Sequence, residues 1–448
     1  MSERAFLVRG ATVITMDDAG SELPADVRLR DGRISEVAPG LVPADGEVVL
    51  DATGMAVLPG FVQTHVHLCQ TLFRNLADDL ALLDWLRDRV WPLEAAHDPA
   101  SLAASAELGI AELLLGGTTA IVDMGTVHHT EVIFEALAAT GLRAIAGKCM
   151  MDAPGGPEGL REATEDSLAE SRALADRWDG AEGGRIRYGY APRFVLSCTD
   201  ALLGEVARDA AARGIWIHTH ASENTDEMDV VRARSGGPGN VAYYASLGIR
   251  GPRTVLAHCV HLDPGEVAEL ARAGTRVAHC VSSNLKLGSG VADVPGMVEA
   301  GVHVSLGADG APCNNRLDAF TEMRLAALVQ KPRRGPTAMP AREVLRMATR
   351  GGAEVLGRGD DLGQVRPGFV ADLQVVDVRG LGVGPGGTLA SRLVYAAGPQ
   401  HVRHVFVDGH RLVSDGRLVR RDHAAVVAAA ERELPRVLAR AGLAALGG

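Results

Sequence analysis

Along the chain, apolar residues gather into short runs that end in polar residues and give way to helical or loop stretches. Eight such runs fill the middle: 57–67 (VLPGFVQTHVH), 118–124 (TTAIVDM), 143–151 (RAIAGKCMM), 186–194 (IRYGYAPRF), 215–222 (IWIHTHAS), 254–262 (TVLAHCVHL), 275–283 (TRVAHCVSS) and 302–310 (VHVSLGADG). Between several of them lie Ala/Leu/Glu segments with a 3.6-residue period, such as PASLAASAELGIAELLLGG and DALLGEVARDAAARG. Near-continuous apolar strands alternating with amphipathic helices predict a parallel sheet covered by helices. Eight units fit a closed (β/α)₈ barrel better than an open doubly wound sheet.

Both chain ends have a different texture. FLVRGATVITMD, ADVRLRDGRISEVAPG and GEVVLDATGMAVLPG at the start, with FVADLQVVDV and VRHVFVDGHRLVSDGRLV near the end, alternate short β-rich runs with turns. The RDG turn predicts a hairpin. The expectation is an α/β fold in three stretches: residues 1–58 and 357–448 together form a small β-sandwich domain, and 59–356 form the barrel. An amphipathic helix over roughly 423–443 closes the chain.

Composition changes this picture little. Of 448 residues, 47% are hydrophobic and 23% charged, an ordinary globular balance. The formal charge of −11 argues against nucleic acid or an anionic membrane as partner. No apolar run is long enough to span a bilayer, and the N-terminus lacks the apolar region of a signal peptide. Six scattered cysteines without paired spacing predict reduced thiols, and so a cytoplasmic protein. No GxGxxG follows the first run, and no phosphate-binding loop motif occurs.

The residues capable of chemistry sit at the ends of the runs, where barrel enzymes place their active sites. Run one ends in His65 and His67, run five in His218 and His220 followed by Glu223, run six carries His258, and run eight ends in Asp309. Buried imidazoles and a carboxylate around one axis need a partner that offsets their desolvation, and a shared cation supplies it. Nitrogen ligands with one carboxylate suit Zn²⁺, with Fe²⁺ and Mn²⁺ as alternatives.

FVQTHVHLCQTLFRNLADD, HTHASEN, LAHCVHLD, SSNLKLGSGVADVP and LGADGAPCNN resemble the amidohydrolase superfamily, in its mononuclear deaminase branch. The resemblance covers nearly the whole chain. It implies metal ligands at His65, His67, His220 and Asp309, a proton shuttle at Glu223, and His258 facing the reacting centre. Asp309 would also pass a proton to the departing amine, and His218 would not be a ligand. The binuclear branch carries a bridging lysine on strand four; run four has none, and Lys148 on run three reads as an ion-paired or substrate-facing strand-end lysine, so one metal is expected.

For the substrate, the segment ADDLALLDWLRDRVWPLEAAH resembles that of deaminases acting on 5′-deoxyadenosine, methylthioadenosine and S-adenosylhomocysteine. There the resemblance implies Trp85 packing against the nucleoside and Glu94 bonding its ribose hydroxyls. Gln70 and Arg193 resemble instead the base-reading pair of guanine deaminase, and Asn284 is a candidate pocket residue. The expected reaction converts an adenine-type nucleoside to its inosine-type product with release of ammonia. A guanine or pterin-type base, or a triazine, is the alternative. The partners expected are a small-molecule substrate and further copies of the chain, as a dimer or tetramer.

Overall fold

In a computed structural model, residues 5–154, 156–237 and 239–447 are described. Each of the eight apolar runs holds one strand of a parallel barrel: β1 (Phe61–Val66), β2 (Thr118–Asp123), β3 (Arg143–Ala146), β4 (Ile186–Pro192), β5 (Trp216–Ala221), β6 (Thr254–His258), β7 (Arg276–His279) and β8 (His303–Leu306). Each strand pairs with the next in sequence, and the two-residue strand Cys149–Met150 adds to β4. The ring closes between β8 and β1 through a parallel bridge of Val66 with Asp309 and the bond from Asp309 N–H to the His65 carbonyl, 3.0 Å. β8 can come this close because residue 307 is glycine; a Cβ there would stand 2.7 Å from the His65 carbonyl oxygen.

The barrel interior is apolar away from the mouth. Val62, Val122, Ile145, Trp216 and Val255 pack there with Ala353, Leu356 and Leu362 from the segment after β8. Burial of this layer fixes the strand register, because a one-residue slip would turn the polar strand ends away from the mouth.

The chain ends build a second sheet. Leu373–Val376 pairs antiparallel with Ala56–Pro59, which joins the late strands Val402–Val407, His410–Ser414 and Arg417–Leu418 to the early ones. The sheet curls over its own core, so that Phe6 and Phe406 meet edge to face with ring centroids 5.0 Å apart. The expected hairpin turns at Asp31 and Gly32, both left-handed (φ 49° and 81°), which places Arg30 opposite Arg33. The last helix, His423–Arg440, packs on Pro99–Leu115 and ties down the segment before it: Arg440 donates to the Ala96 carbonyl and to Ser101 Oγ. Among the described residues, no helix is long and apolar enough to cross a membrane. All six cysteines are buried thiols.

Candidate active site and metal centre

Three strand ends at the barrel mouth carry left-handed backbone at residues other than glycine: Ser222 after β5 (φ 54°), His258 and Cys259 at β6 (74° and 49°), and Asp309 after β8 (62°). Such conformations cost roughly 1–2 kcal/mol each and persist only where the surroundings enforce them. Here the enforcing bonds are visible. The Ser222 carbonyl accepts from Val260 N–H (2.9 Å) and His261 N–H (3.0 Å), and Cys259 N–H donates to the Ala221 carbonyl (3.0 Å). The sharp turns aim Glu223, His258 and Asp309 at one point.

At that point, His65 Nε2 lies 3.2 Å and His67 Nε2 3.3 Å from Asp309 Oδ1, and His67 Nε2 lies 3.3 Å from His220 Nε2. A tetrahedral ion with ligands at 2.0–2.1 Å has ligand-to-ligand edges of about 3.3–3.4 Å. The three observed separations match edges of that length. The other ring nitrogens are committed elsewhere: His65 Nδ1 to His218 Nε2 (2.7 Å) and His220 Nδ1 to the Arg193 carbonyl (2.6 Å). Those bonds leave Nε2 as the ligand atom on each ring. His65 Nε2, fully buried, has no hydrogen-bond partner of acceptable geometry.

Electrostatics agree with this donor set. Burial pushes His65 down to about 4 and His220 well below the usual imidazole range, so both rings are neutral with a free lone pair. Burial opposes ionisation of Asp309, but the imidazoles of His65, His67 and His258 around it outweigh burial and hold the carboxyl well below its ordinary value. Neutral imidazoles and one carboxylate are the protonation states a divalent ion requires. His258 Nε2 belongs to a looser donor group with His65, His220 and Asp309, within 4.8 Å. It stands 3.8 Å from Oδ2 of Asp309, longer than such an edge, and it faces Glu223 Oε2 at 3.5 Å.

Glu223 is buried, and burial pushes its carboxyl up to about 7. Burial works against charge on His258, but Glu223 and Asp309 outweigh it and hold the imidazole above its ordinary value. Asn284, expected in the pocket, meets the site through His258: its Oδ1 lies 2.8 Å from His258 Nδ1. Lys148 is buried and bound by Glu162 and Glu170, both at 2.9 Å, and by the Val127 carbonyl, in keeping with an ion-paired role.

A cavity opens from this point, walled by His67, Gln70, Trp85, Leu86, Arg193, Phe194 and Leu287. Trp85 and Leu86 come from a helical segment over 82–95. It widens at Leu86–Val90, where Trp91 N–H reaches the Leu86 carbonyl five residues back. Wide turns of this kind are frequent at functional sites. Glu94 sits behind the wall, 5% exposed, accepting from Gln70 Nε2 (2.8 Å) and from both terminal nitrogens of Arg193 (2.5 and 3.2 Å). The three substrate candidates that pointed to different bases are thus one cluster.

Sequence reasoning passed over several residues that support the site. His218 orients His65. Asp123, at the end of β2 and pushed up to about 6 by burial, accepts from Leu68 N–H (2.8 Å) and Gly125 N–H (2.9 Å), fixing the loop after His67. Glu227 accepts from Glu223 N–H. Only Glu227 left a local signal, since Asn224-x-x-Glu227 has the spacing of a helix capping box.

A parallel barrel with histidines and an aspartate gathered at its mouth, and a second sheet from the chain ends, is the arrangement of a metal-dependent hydrolase. The sequence profile of the amidohydrolase family matches residues 56–412, and the chain belongs to that family. It is 39% identical to the 5′-deoxyadenosine deaminase of Methanothermobacter thermautotrophicus over 93% of this chain and 95% of that one. Over 97% of this chain and 99% of the other, it is 37% identical to the 5-methylthioadenosine/S-adenosylhomocysteine deaminase of Desulforudis audaxviator. Its fold is similar to that of a zinc-bound adenosine deaminase from Xanthomonas campestris, with a TM-score of 0.91 at 31% identity, covering 97% of this chain and 98% of that chain.

Proposed function

We propose that the protein is a zinc-dependent deaminase of an adenine-type nucleoside, releasing ammonia and leaving the inosine-type product. One observation carries this reading: His65, His67, His220 and Asp309 gather donor atoms 3.2–3.3 Å apart, faced by Glu223 and His258, beside a cavity lined by a tryptophan. The names of the relatives point to the same substrate class.

His65, His67, His220 and Asp309 would hold the ion. When bound, zinc acts as a Lewis acid that lowers the pKa of water to about 7. Glu223, poised to about 7 by burial, can take a proton from the attacking water and deliver it to a ring nitrogen. That protonation makes the carbon bearing the amine electrophilic. His258, held by Asn284 and by the charges of Glu223 and Asp309, presents Nε2 as a donor to oxygen that gains negative charge. Asp309 Oδ2, turned toward His258, can take up the second proton of the attacking water and pass it to the amine, which leaves as ammonia. Trp85 supplies a flat apolar surface for the base, and the Glu94 cluster supplies polar contacts to the sugar.

The engagement of Gln70 and Arg193 with Glu94 favours a nucleoside over a free guanine or pterin base, because their donors already have a partner inside the protein. The reading extends to a cytoplasmic enzyme, on its acidic charge and buried thiols, working as a homo-oligomer as the family resemblance implies. Ammonia release should be measured on zinc-loaded protein with 5′-deoxyadenosine, methylthioadenosine, S-adenosylhomocysteine, adenosine, guanine and a pterin. Turnover of adenine nucleosides is expected; turnover of guanine or pterin alone would transfer the reading to the base deaminases.

A further inference from the structure

Four residues beyond Glu223, a second carboxylate is buried completely. Glu227 is 0% exposed, and its hydrogen-bond partners are neutral: Oε2 accepts from the backbone N–H of Glu223 (2.8 Å) and Oε1 from Asn240 Nδ2 (2.8 Å). A buried carboxylate served by neutral donors is costly, and burial pushes Glu227 above its ordinary value. A helix cap alone does not require it. Asn224 already caps the helix Thr225–Ser235, its side chain accepting from Asp226 N–H. In a capping box the third helical residue turns back to the N–H of the cap itself; Glu227 takes that bond from Asn224 N–H and reaches one residue further as well, to Glu223 N–H.

The place it reaches is strained. Ser222, immediately before, is left-handed at φ 54°, and its carbonyl is gripped on the other side by Val260 and His261. Glu223 is thus held from behind by the turn after β6 and from below by Glu227, while its own side chain has only long contacts, to Ser289 Oγ and to His258 Nε2, both at 3.5 Å. The aim of the side chain is therefore set by its backbone.

We propose that Glu227 is a positioning residue for Glu223, its carboxylate locking the strained turn from which the proton shuttle projects. This rests on the deaminase reading of the site. Glu227 touches neither the metal ligands nor the cavity wall, so its removal acts on proton transfer and leaves the binding of ion and nucleoside intact.

The test uses zinc-loaded full-length enzyme and 5′-deoxyadenosine, comparing Glu227→Ala, Glu227→Gln and Glu227→Asp with wild type. Displacing a catalytic group by about 1 Å costs on the order of 100-fold in rate. Glu227→Ala should accordingly lose about 10- to 100-fold in kcat, with KM and zinc content unchanged. Glu227→Gln should recover most of the rate. Its amide oxygen can accept from Glu223 N–H, and the Asn240 amide can flip to offer Oδ1, which now has no partner. Glu227→Asp, one methylene short, should behave as the alanine variant does, and it carries the comparison with Glu227→Gln should the alanine variant not fold. Wild-type kcat in Glu227→Ala or Glu227→Asp overturns the proposal. So does a parallel loss of kcat, KM and zinc in all three variants, which is the mark of a merely structural residue. Wild-type enzyme that deaminates no adenine nucleoside overturns the deaminase reading and this proposal with it, whereas active wild type with indifferent variants overturns the proposal alone.

Discussion

Arg193 and Glu94 form a bidentate ion pair behind the cavity wall, with Nη1 2.5 Å from Oε2 and Nη2 3.2 Å from Oε1. Gln70 Nε2 and the Cys69 thiol add donors to Oε1, so all of the roughly four acceptor positions of the carboxylate are filled. A ribose diol that bonds Glu94 through both hydroxyls must displace two of these donors. Burial opposes ionisation of Glu94, and the Arg193 charge wins, holding it below its ordinary value.

Removing one partner of that pair should therefore cost more than removing both. Arg193→Met leaves a buried charge alone and is expected to destabilise by about 3–5 kcal/mol. Arg193→Met combined with Glu94→Gln should recover part of that loss, the non-additivity of a coupled pair. Urea unfolding of the two single variants and the double variant measures the coupling. Strictly additive losses would mean that the pair does not stabilise the wall.

The proton shuttle gives a sharper separation. Glu223→Gln keeps the size and buried contacts of the side chain but cannot carry a proton, and the four donors to the ion are untouched. Turnover should fall by about 10²–10⁴-fold while elemental analysis still finds one zinc per chain. Substantial activity in this variant would remove Glu223 from the chemistry.

The eight strands and the hairpin were legible because each depends on local pattern: an apolar run, a polar end, a two-residue turn. That His65, His67, His220 and Asp309 would meet was legible for the same reason, since run ends map onto the barrel mouth once the strands are known. The relations that finish the site were not. Glu94 and Arg193 are 99 residues apart in the chain, and His65 and His218 are 153 apart, so only the closed barrel makes them neighbours. Nor does any sequence signal mark Ser222, His258 or Asp309 as left-handed; in each, tertiary hydrogen bonds override the residue's own preference.

His218 is a case in point. It shares the inward face of β5 with His220, yet its Nε2 receives the proton on His65 Nδ1 and so fixes which nitrogen of His65 can ligate. Outer partners of this kind typically govern metal affinity by about 10–100-fold. His218→Ala should weaken zinc binding by that factor, read by competition with a chelator, with the fold retained. Unchanged zinc affinity would reduce His218 to a packing residue.

Stability should carry a pH signature from the far side of the site. Glu322 is fully buried, accepts from Ser282 Oγ and from Asn314 Nδ2 (2.9 Å), and is pushed up to about 7 by burial. Asn314 in turn donates to the Ala308 carbonyl (2.7 Å), so Glu322 braces the loop that carries Asp309. A carboxyl whose pKa is higher folded than unfolded binds its proton more tightly in the native state. Its contribution is fully present below about pH 4.5 and is lost as the pH rises through about 7, by up to ~3 kcal/mol. Glu322→Gln holds the neutral state at every pH and keeps an acceptor for Ser282 and Asn314. The variant should match wild type near pH 4.5, exceed it above pH 7, and flatten the fall between them, as measured by urea unfolding across that range. A wild-type curve that rises between pH 5 and 7 and is unaltered by the substitution would show that Glu322 is already ionised in the native protein.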